Sequence, residues 1–314
     1  ACGLVGLKPT RGLVPLGPKK LESWAGLVSS FALCKSVRDT AALLDAVAGP
    51  ELGGTYGLPR PDISYTQALE APLRPGRVAL FKGSLFGPGV DLEIPQALDD
   101  VAQNLQSLGY QVEEALPSLD LGAIKRASFI IVATSVYGDV QNLAQKLNKK
   151  VSPKYFEPST WFFYLLGSVL KASDYYWAID QMRLLSFQWD QFFEKYDFIL
   201  MPTLAYPPVE AGQFKMSFLE KCGLKFIGPF PPRNLMLRVL ETLAAPSLER
   251  SPNTQVFNLS GHPGISLPTH MFSVGLPLGV QIATARGGEP RLLQVAKHLE
   301  VIYRWTERLK KLNP

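Results

Sequence analysis

The chain has 314 residues, of which 46% are hydrophobic and 19% are charged, and its formal net charge is +5. This composition is typical of a globular protein with ample material for a core, and no tract has the bias of a low-complexity linker. The lysines and arginines are scattered apart from a small group near the end (Arg304, Arg308, Lys310 and Lys311), which is typical of a solvated helix end, so we expect no nucleic-acid partner.

The cysteines and the apolar stretches indicate the redox environment of the protein and whether it could contain a membrane-spanning helix. Cys2, Cys34 and Cys222 are odd in number and far apart, which fits neither a metal-binding spacing nor a disulfide scaffold. We therefore expect a cytoplasmic, reducing environment, with Cys2 more often a small buried side chain than a reactive one. The longest apolar stretch, residues 127–136, is well short of the ~20 residues that a membrane-spanning helix needs.

The first elements along the chain are a core segment and a helix. Residues 1–10 form a glycine-spaced apolar run that is typical of the middle of a core. Ser36 begins a helix with a capping-box-like pattern, its apolar positions recur at helical spacing, and Gly49 is a typical stop signal. Residues 52–75 are polar and rich in proline, which predicts a loop.

Alternating strands and helices follow. Residues 77–81 and 110–113 are predicted strands, joined by a helix that begins near Pro95 and ends at Gly109. A helix over residues 173–195 precedes a strand at 198–201. Strands at 264–267 and 278–283 precede a last helix that begins at Pro290. This order predicts an α/β fold, a mixed twisted sheet flanked by helices on both faces.

Residue types and spacings alone do not reveal a complete active site in this sequence. His262, His270 and His298 have no metal-binding spacing, and no Gly-x-Ser-x-Gly elbow or phosphate-binding glycine loop follows a strand, so we expect no metal and no cofactor. Ser29 and Ser30 are adjacent hydroxyls, but a loop before a helix is the better interpretation. Lys8 lacks an evident partner that would make it a base, and we interpret it as structural.

Several segments together resemble the amidase-signature family, with bacterial amidases of the cyclic-dimer hydrolase type more similar than the A subunits of transamidation complexes. They fall in the family's order and are residues 1–12 (ACGLVGLKPTRG), 36–45 (SVRDTAALLD), 196–205 (YDFILMPTLA), 258–268 (NLSGHPGISLP), 275–281 (GLPLGVQ) and 288–293 (GEPRLL). The resemblance implies an amidase that cleaves a small-molecule amide with a serine nucleophile, a bridging serine and a lysine base.

In that family the nucleophile, the oxyanion donors, the bridging serine and the lysine all precede the segment matched by residue 1. The resemblance therefore implies a single amidase domain, of which residues 1–314 are the C-terminal two-thirds, incomplete at the N-terminus. It transfers no catalytic residue to this chain, and we expect the chain alone to be inactive. A catalytically dead remnant that acts as a binding module, and an A-subunit-like amidotransferase component, remain as alternatives.

The resemblance also implies which residues approach the substrate. These are Thr134, Tyr137 and Thr254, although plain packing is an equally good interpretation of each. The aromatic segment from Trp161 to Leu166 corresponds to a region that forms a membrane cap in fatty-acid amide hydrolases. An ordinary core helix is favoured here, with membrane association through this segment as the alternative, and a homodimer stays open.

Overall fold

The structure is a computed structural model that describes residues 2–18, 20–210, 212 and 232–312. Cys222 lies outside the described residues. Cys34 is partly buried, whereas Cys2 is exposed, so the expectation of a buried Cys2 was wrong. Within the described residues, no helix is both long enough and apolar enough to cross a bilayer.

One mixed sheet runs through the fold, and seven strands of it are described. The strands are β1 (Val5–Lys8), β2 (Leu33–Cys34), β3 (Arg77–Leu80), β4 (Gln111–Glu114), β5 (Phe198–Pro202), β6 (Gly264–Met271) and β7 (Pro277–Thr284). Their order across the sheet is β2-β1-β6-β7-β5-β3-β4. β3 is parallel to β4 and β5, and the remaining pairs are antiparallel.

Helices occupy most of the chain between the strands. They are α1 (Val37–Val47), α2 (Tyr65–Ala68), α3 (Glu93–Ser107), α4 (Leu121–Lys146), α5 (Pro158–Val169), α6 (Ala172–Phe193), α7 (Arg233–Arg250), α8 (Gln255–Ser260), α9 (Glu289–Tyr303) and α10 (Trp305–Leu312). Short 3-10 turns occur at Trp24–Gly26 and Pro153–Tyr155.

The chain forms two compact units. Unit 1 comprises Ala1–Leu119, Leu185–Pro208 and Ser247–Pro314, and unit 2 comprises Asp120–Leu184 and Val209–Pro246. The sheet belongs to unit 1, whereas unit 2 is built from helices, among them α4 and α5. The prediction of a single domain stays a prediction.

Local signals account for the helix ends. The hydroxyl of Ser36 accepts a hydrogen bond from the amide of Asp39, which satisfies a free N–H group at the start of α1, as predicted. Gly109 follows α3 with φ +93°, a conformation that favours glycine. The loop predicted at residues 52–75 is wrong at one point, because it contains α2. Ser64 and Gln67 form a complete capping box there, a signal that the polar composition concealed.

The predicted β-α-β unit is confirmed, since β3, α3 and β4 follow one another and the two strands pair in parallel. The strand predicted at 264–267 is longer in the structure. β6 continues to Met271, through an irregularity between Leu267 and His270, so His270 lies within the strand.

The two faces of the sheet differ in composition. Paired residues lie on the same face, and the row from Leu7 through Ile265, Ile282 and Leu200 to Leu80 belongs to one continuous hydrophobic core. α1, α3 and α9 contribute the rest of this core. The opposite face is mixed, because the buried apolar side chains of Ile199, Met201 and Ala283 lie on it. We call it the polar face after its small and polar residues: Gly6, Lys8, Thr203, Ser266, Gly279 and Gln281.

Candidate functional site

The polar face has a hydroxyl pair near its centre. The Oγ1 atom of Thr203, just after β5, lies 2.8 Å from the Oγ atom of Ser266 on β6. β7 runs between these two strands, and its residue at this level is Gly279. A methyl group there would lie 3.2 Å from Ser266 Oγ and 3.5 Å from Thr203 Oγ1, so glycine leaves the room for the two hydroxyls to meet. Both hydroxyls are only partly buried, which leaves them within reach of a ligand.

Asn253 is a wholly buried side chain that connects three loops beside this pair. Its Oδ1 atom accepts from the amide of Leu85 at 3.1 Å, and its Nδ2 atom donates to the carbonyls of Gly83 and Pro202, each at 3.1 Å. Its own carbonyl accepts from Gln281 Nε2 at 3.2 Å. The asparagine therefore holds the segment before α8 against the ends of β3, β5 and the polar face.

Thr254, predicted to approach the substrate, is the residue after Asn253. It precedes the first residue of α8 without a capping hydrogen bond from its side chain, is partly exposed, and donates its hydroxyl to the carbonyl of Ser251 at 3.2 Å. Its position is set by Asn253, which the sequence analysis did not identify. The sequence signal that was available is an asparagine next to a helix start; its burial is seen only in the structure.

Lys8 lies on the polar face in the row that continues through Gly264 and Ala283. Its ammonium donates to the carbonyl of Pro9 at 2.9 Å. Although part of the side chain reaches the surface, its charged end is enclosed. That burial, and then the nearby Arg11, lowers the pKa of Lys8 to about 7. Lys8 thus meets the desolvation requirement of a basic lysine, while its observed hydrogen bond goes to a carbonyl.

His262 forms a hydrogen-bonded chain with Ser260 and Asp190. Its Nδ1 atom lies 3.0 Å from Ser260 Oγ, and its Nε2 atom lies 3.1 Å from Asp190 Oδ1. Burial, and then the cations Arg286 and Lys8, lowers the pKa of His262 to about 3. Because a carboxylate only accepts, neutral His262 donates from Nε2 to Asp190 and accepts at Nδ1 from the serine hydroxyl.

The hydrogen-bonded series Ser260–His262–Asp190 contains the residue types of a serine hydrolase triad. Ser260 and His262 are, however, wholly buried. A substrate carbonyl has no access to the serine oxygen. Arg286 also binds the Asp190 carboxylate. We interpret the arrangement as a structural link between α6 and the start of β6.

The N-terminal segment is anchored by two further contacts. Glu289, at the start of α9, accepts from the amide of Thr10 at 2.6 Å, and the Thr10 hydroxyl accepts from the amide of Gly287 at 3.0 Å. The guanidinium of Arg11 donates to the carbonyls of Asn258 and Leu259 at 2.7 and 2.6 Å, which satisfies the C-terminal end of α8.

Thr134 and Tyr137, the other predicted substrate residues, lie one turn apart on α4 in unit 2. The Thr134 hydroxyl donates within the helix, with the carbonyl of Ile130 at 2.8 Å. The ring of Tyr137 stacks on Tyr164 of α5 with centroids 5.3 Å apart. The two helices approach closely at Gly167, which has no side chain. A methyl group there would lie 2.3 Å from the carbonyl oxygen of Ala133.

The aromatic segment 161–166 forms part of this helix contact. Trp161, Phe162, Leu165 and Leu166 are buried in a core cluster of unit 2, and Trp161 stacks on Tyr164 at 5.1 Å. The interpretation of this segment as a core helix is therefore supported. Thr254 belongs to unit 1, so the predicted substrate residues are divided between the units.

Comparison with known proteins gives consistent matches. Residues 1–293 match the sequence model of a protein family whose description is Amidase. A 6-aminohexanoate-cyclic-dimer hydrolase from Paenarthrobacter ureafaciens is 30% identical over 326 aligned residues, which cover 100% of this chain and 62% of the relative. The A subunit of a glutamyl-tRNA(Gln) amidotransferase from Heliobacterium modesticaldum is 30% identical, covering 94% of this chain and 58% of the relative.

Solved structures agree with these matches. A structure of 6-aminohexanoate cyclic dimer hydrolase superposes with a TM-score of 0.81 at 28% identity, over 98% of this chain and 62% of that one. A bacterial aryl acylamidase shares the fold, with a TM-score of 0.76 at 17% identity over 97% of this chain and 60% of that one. The chain thus spans about three-fifths of the length of these relatives.

Proposed function

This chain belongs to the amidase family, and from that premise we propose that the protein hydrolyses the C–N bond of a carboxylic amide. The substrate is a small-molecule amide. Among the relatives, the similarity to a hydrolase of a cyclic amide favours a substrate of that kind.

The observation that carries this proposal is the convergence of the family-like segments in unit 1. Four of these segments contain β1, β6, β7 and β5, which lie next to one another in the sheet. They come together although they are up to about 280 residues apart in sequence. The segment at residues 288–293 binds the first one directly, through Glu289 and the amide of Thr10.

We further propose that a Ser–Ser–Lys mechanism operates with groups supplied from outside these 314 residues. Such a mechanism needs an accessible nucleophile, a base that contacts it and donors for the oxyanion. Ser260 is sealed in the interior, and Lys8 donates to a carbonyl. The chain's span of 62% of the relative's length leaves room for such groups elsewhere.

Within this chain we propose that Tyr137 and Thr134 contact the acyl part of the substrate. The stacked pair Tyr137–Tyr164 is partly buried and would supply an apolar surface to the acyl group. Thr254 is proposed as a further substrate contact in unit 1, held by its neighbour Asn253.

Activity is tested on the 314-residue chain and on the longest product of the gene that mass spectrometry detects. Each is assayed with linear and cyclic amides and treated with a fluorophosphonate, which labels reactive serines. We expect turnover and labelling in the longer product alone. Labelling of the 314-residue chain would contradict an external nucleophile, and inactivity of both forms would contradict the proposed hydrolysis and favour a catalytically dead remnant.

A second candidate is the A component of an amidotransferase, favoured by the 30% identity with such a protein over 94% of this chain. The two functions differ in the fate of the amide nitrogen. An amidotransferase component delivers ammonia to a partner complex, whereas simple hydrolysis of an amide leaves a free amine, or free ammonia when the amide is primary. Copurification of partner proteins with glutamine-dependent activity would support this candidate, and amide hydrolysis by the purified protein without partners would contradict it.

A further inference from the structure

Unit 2 carries a concentration of positive charge that is independent of the amidase segments. The chain from residue 140 to residue 156 contains Lys146, Lys149, Lys150 and Lys154 and no acidic residue. The basic group noted near the chain's end is therefore not the only one. We call these four side chains the lysine patch.

The local backbone brings the lysine patch together. α4 ends at Lys146, and Asn148 turns the chain with φ +48°. The amide of Lys149 then donates to the carbonyl of Ala144 at 3.0 Å, which folds the following residues back beside the helix end. The carbonyl end of a helix also attracts cations, which favours lysines at this place.

Two of the ammonium groups converge on one exposed ring. Lys154 Nζ lies 4.8 Å and Lys149 Nζ lies 5.7 Å from the centre of the Tyr155 ring. The tyrosine is 53% exposed, so the ring and both charges face solvent. Attraction of a cation to an aromatic face stabilises this arrangement.

The lysine patch lacks compensation by carboxylates. In the part of the chain that the structure describes, none of its four side chains forms an ion pair. Lys82 binds two carboxylates, those of Asp99 and Glu114, and Lys297 binds Glu70. The positive potential of the patch is thus available to an external anion.

Exposed apolar side chains accompany the charges. Leu143 on the last turn of α4 and Leu147 just after it are 48% and 57% exposed. A surface that presents lysines and leucines together fits a membrane interface, where ammonium groups meet headgroup phosphates and apolar side chains enter the acyl boundary. A nucleic acid offers phosphates without an acyl layer for the leucines.

We propose that the lysine patch, together with Leu143 and Leu147, docks this protein on an anionic lipid surface. The binding is peripheral and reversible, because a few leucines and a single tyrosine bury little apolar area. It goes beyond the amidase activity and does not depend on it. The segment involved is separate from the buried residues 161–166.

The test is flotation of the 314-residue chain with lipid vesicles through a density gradient, which separates bound protein from aggregates. Vesicles of phosphatidylcholine alone are compared with vesicles that contain one-third phosphatidylglycerol. We expect flotation with the anionic vesicles only, and its loss as salt is raised, because salt screens exposed charges. Equal flotation with both vesicles, or none with the anionic ones at low salt, would overturn the proposal.

The matched variants are two triple substitutions with the same change in net charge. One is Lys146→Gln, Lys149→Gln, Lys150→Gln, and the other is Lys35→Gln, Lys171→Gln, Lys195→Gln at exposed lysines elsewhere. Each lysine near an anionic surface strengthens binding by roughly tenfold or less, so the first variant should bind about 100-fold more weakly and the second little changed. An equal loss of vesicle binding in both variants would show that only the net charge of the protein matters, which would contradict a defined patch.

The contribution of the two exposed leucines to binding distinguishes a lipid surface from a soluble polyanion. The pair Leu143→Ser, Leu147→Ser is compared with Leu52→Ser, Leu92→Ser, which alters two leucines that are 97% and 86% exposed in unit 1. We expect weaker vesicle binding only in the first pair, with binding to poly-glutamate unchanged in both. Binding to poly-glutamate as tight as to vesicles, together with no effect of the leucines, would identify an acidic polypeptide as the partner instead.

Discussion

The two faces of the sheet in unit 1 are built on the same strands, yet they are stabilised differently. One face places Leu7, Ile265, Ile282 and Leu200 side by side in a continuous apolar core. The polar face mixes the buried side chains of Ile199 and Met201 with glycines, hydroxyls and amides, and some of these polar groups bind loops from distant parts of the chain. The contrast teaches that stability should be concentrated on the first face, and that the polar face should tolerate changes except where a buried group would lose its partners.

Ile282→Ala on β7 is the substitution expected to have the largest effect on this comparison. Ile282 is buried at the centre of the apolar face, and its truncation leaves a cavity that lowers the free energy of unfolding by about 3–4 kcal/mol. Urea denaturation followed by circular dichroism measures the loss. Ile282→Val, which removes one methylene, should lower it by only about 1 kcal/mol. Equal losses in the two variants would mean that the site collapses around a smaller side chain.

Asn253→Asp tests whether hydrogen bonds stabilise the polar face as packing stabilises the other. The substitution keeps the size of the side chain but replaces the donor that faces the carbonyls of Gly83 and Pro202. We expect a loss of about 2–3 kcal/mol in the free energy of unfolding, because buried carbonyls lose their partner and face a carboxylate. Asn253→Ala should be comparably damaging. A stable Asp variant with a damaged Ala variant would show that volume, and not donation, matters at this position.

The buried His262 predicts a loss of stability in mild acid. Its pKa is held at about 3, below the ordinary value of 6.5, so the native state binds this proton more weakly than the unfolded state does. The contribution is complete above pH 6.5 and is lost progressively as the pH falls towards 3. Between pH 7 and pH 5 we expect a decrease of up to about 2 kcal/mol in the free energy of unfolding.

The control for this pH dependence is His262→Gln, which has no proton to bind in this range. Urea melts at pH 5, 6 and 7 are compared for the two proteins. The difference between their stabilities should shrink as the pH falls. A constant difference would indicate that other groups cause the acid sensitivity.

Ser266→Ala should have the smallest effect and sharpens the contrast with Ile282, which lies on the adjoining strand but on the opposite face of the sheet. The serine hydroxyl is partly exposed and pairs with Thr203, which keeps access to solvent when the partner is removed. We expect a loss of about 0.5–1 kcal/mol, measured in the same urea melts. A loss as large as that of Ile282→Ala would contradict the difference in stabilisation between the two faces.

Much of the architecture was predictable because it depends on short stretches of chain. The cap at Ser36, the stop at Gly109 and the β3-α3-β4 order follow from local patterns, and the structure confirms them. α2 was missed although Ser64 and Gln67 carried its signal, since proline and polar residues dominated the surrounding window.

The candidate site was less predictable, because its contacts join residues that are far apart in sequence. Asn253 binds Gly83 and Leu85 across about 170 positions, and Thr10 binds Glu289 across 279. The roles of Thr134, Tyr137 and Thr254 in substrate binding remain predictions.

The sequence by itself determined the family and those strands and helices that carry clear periodicity or caps, because such signals act within a few residues. Only the tertiary structure decided the state of the charged and polar groups. Lys8 acquires its lowered pKa from burial on the polar face, His262 is neutral because packing removes it from water, and the lysine patch converges on one tyrosine ring. Desolvation and charge proximity depend on what surrounds a group in space, which residue order alone does not specify.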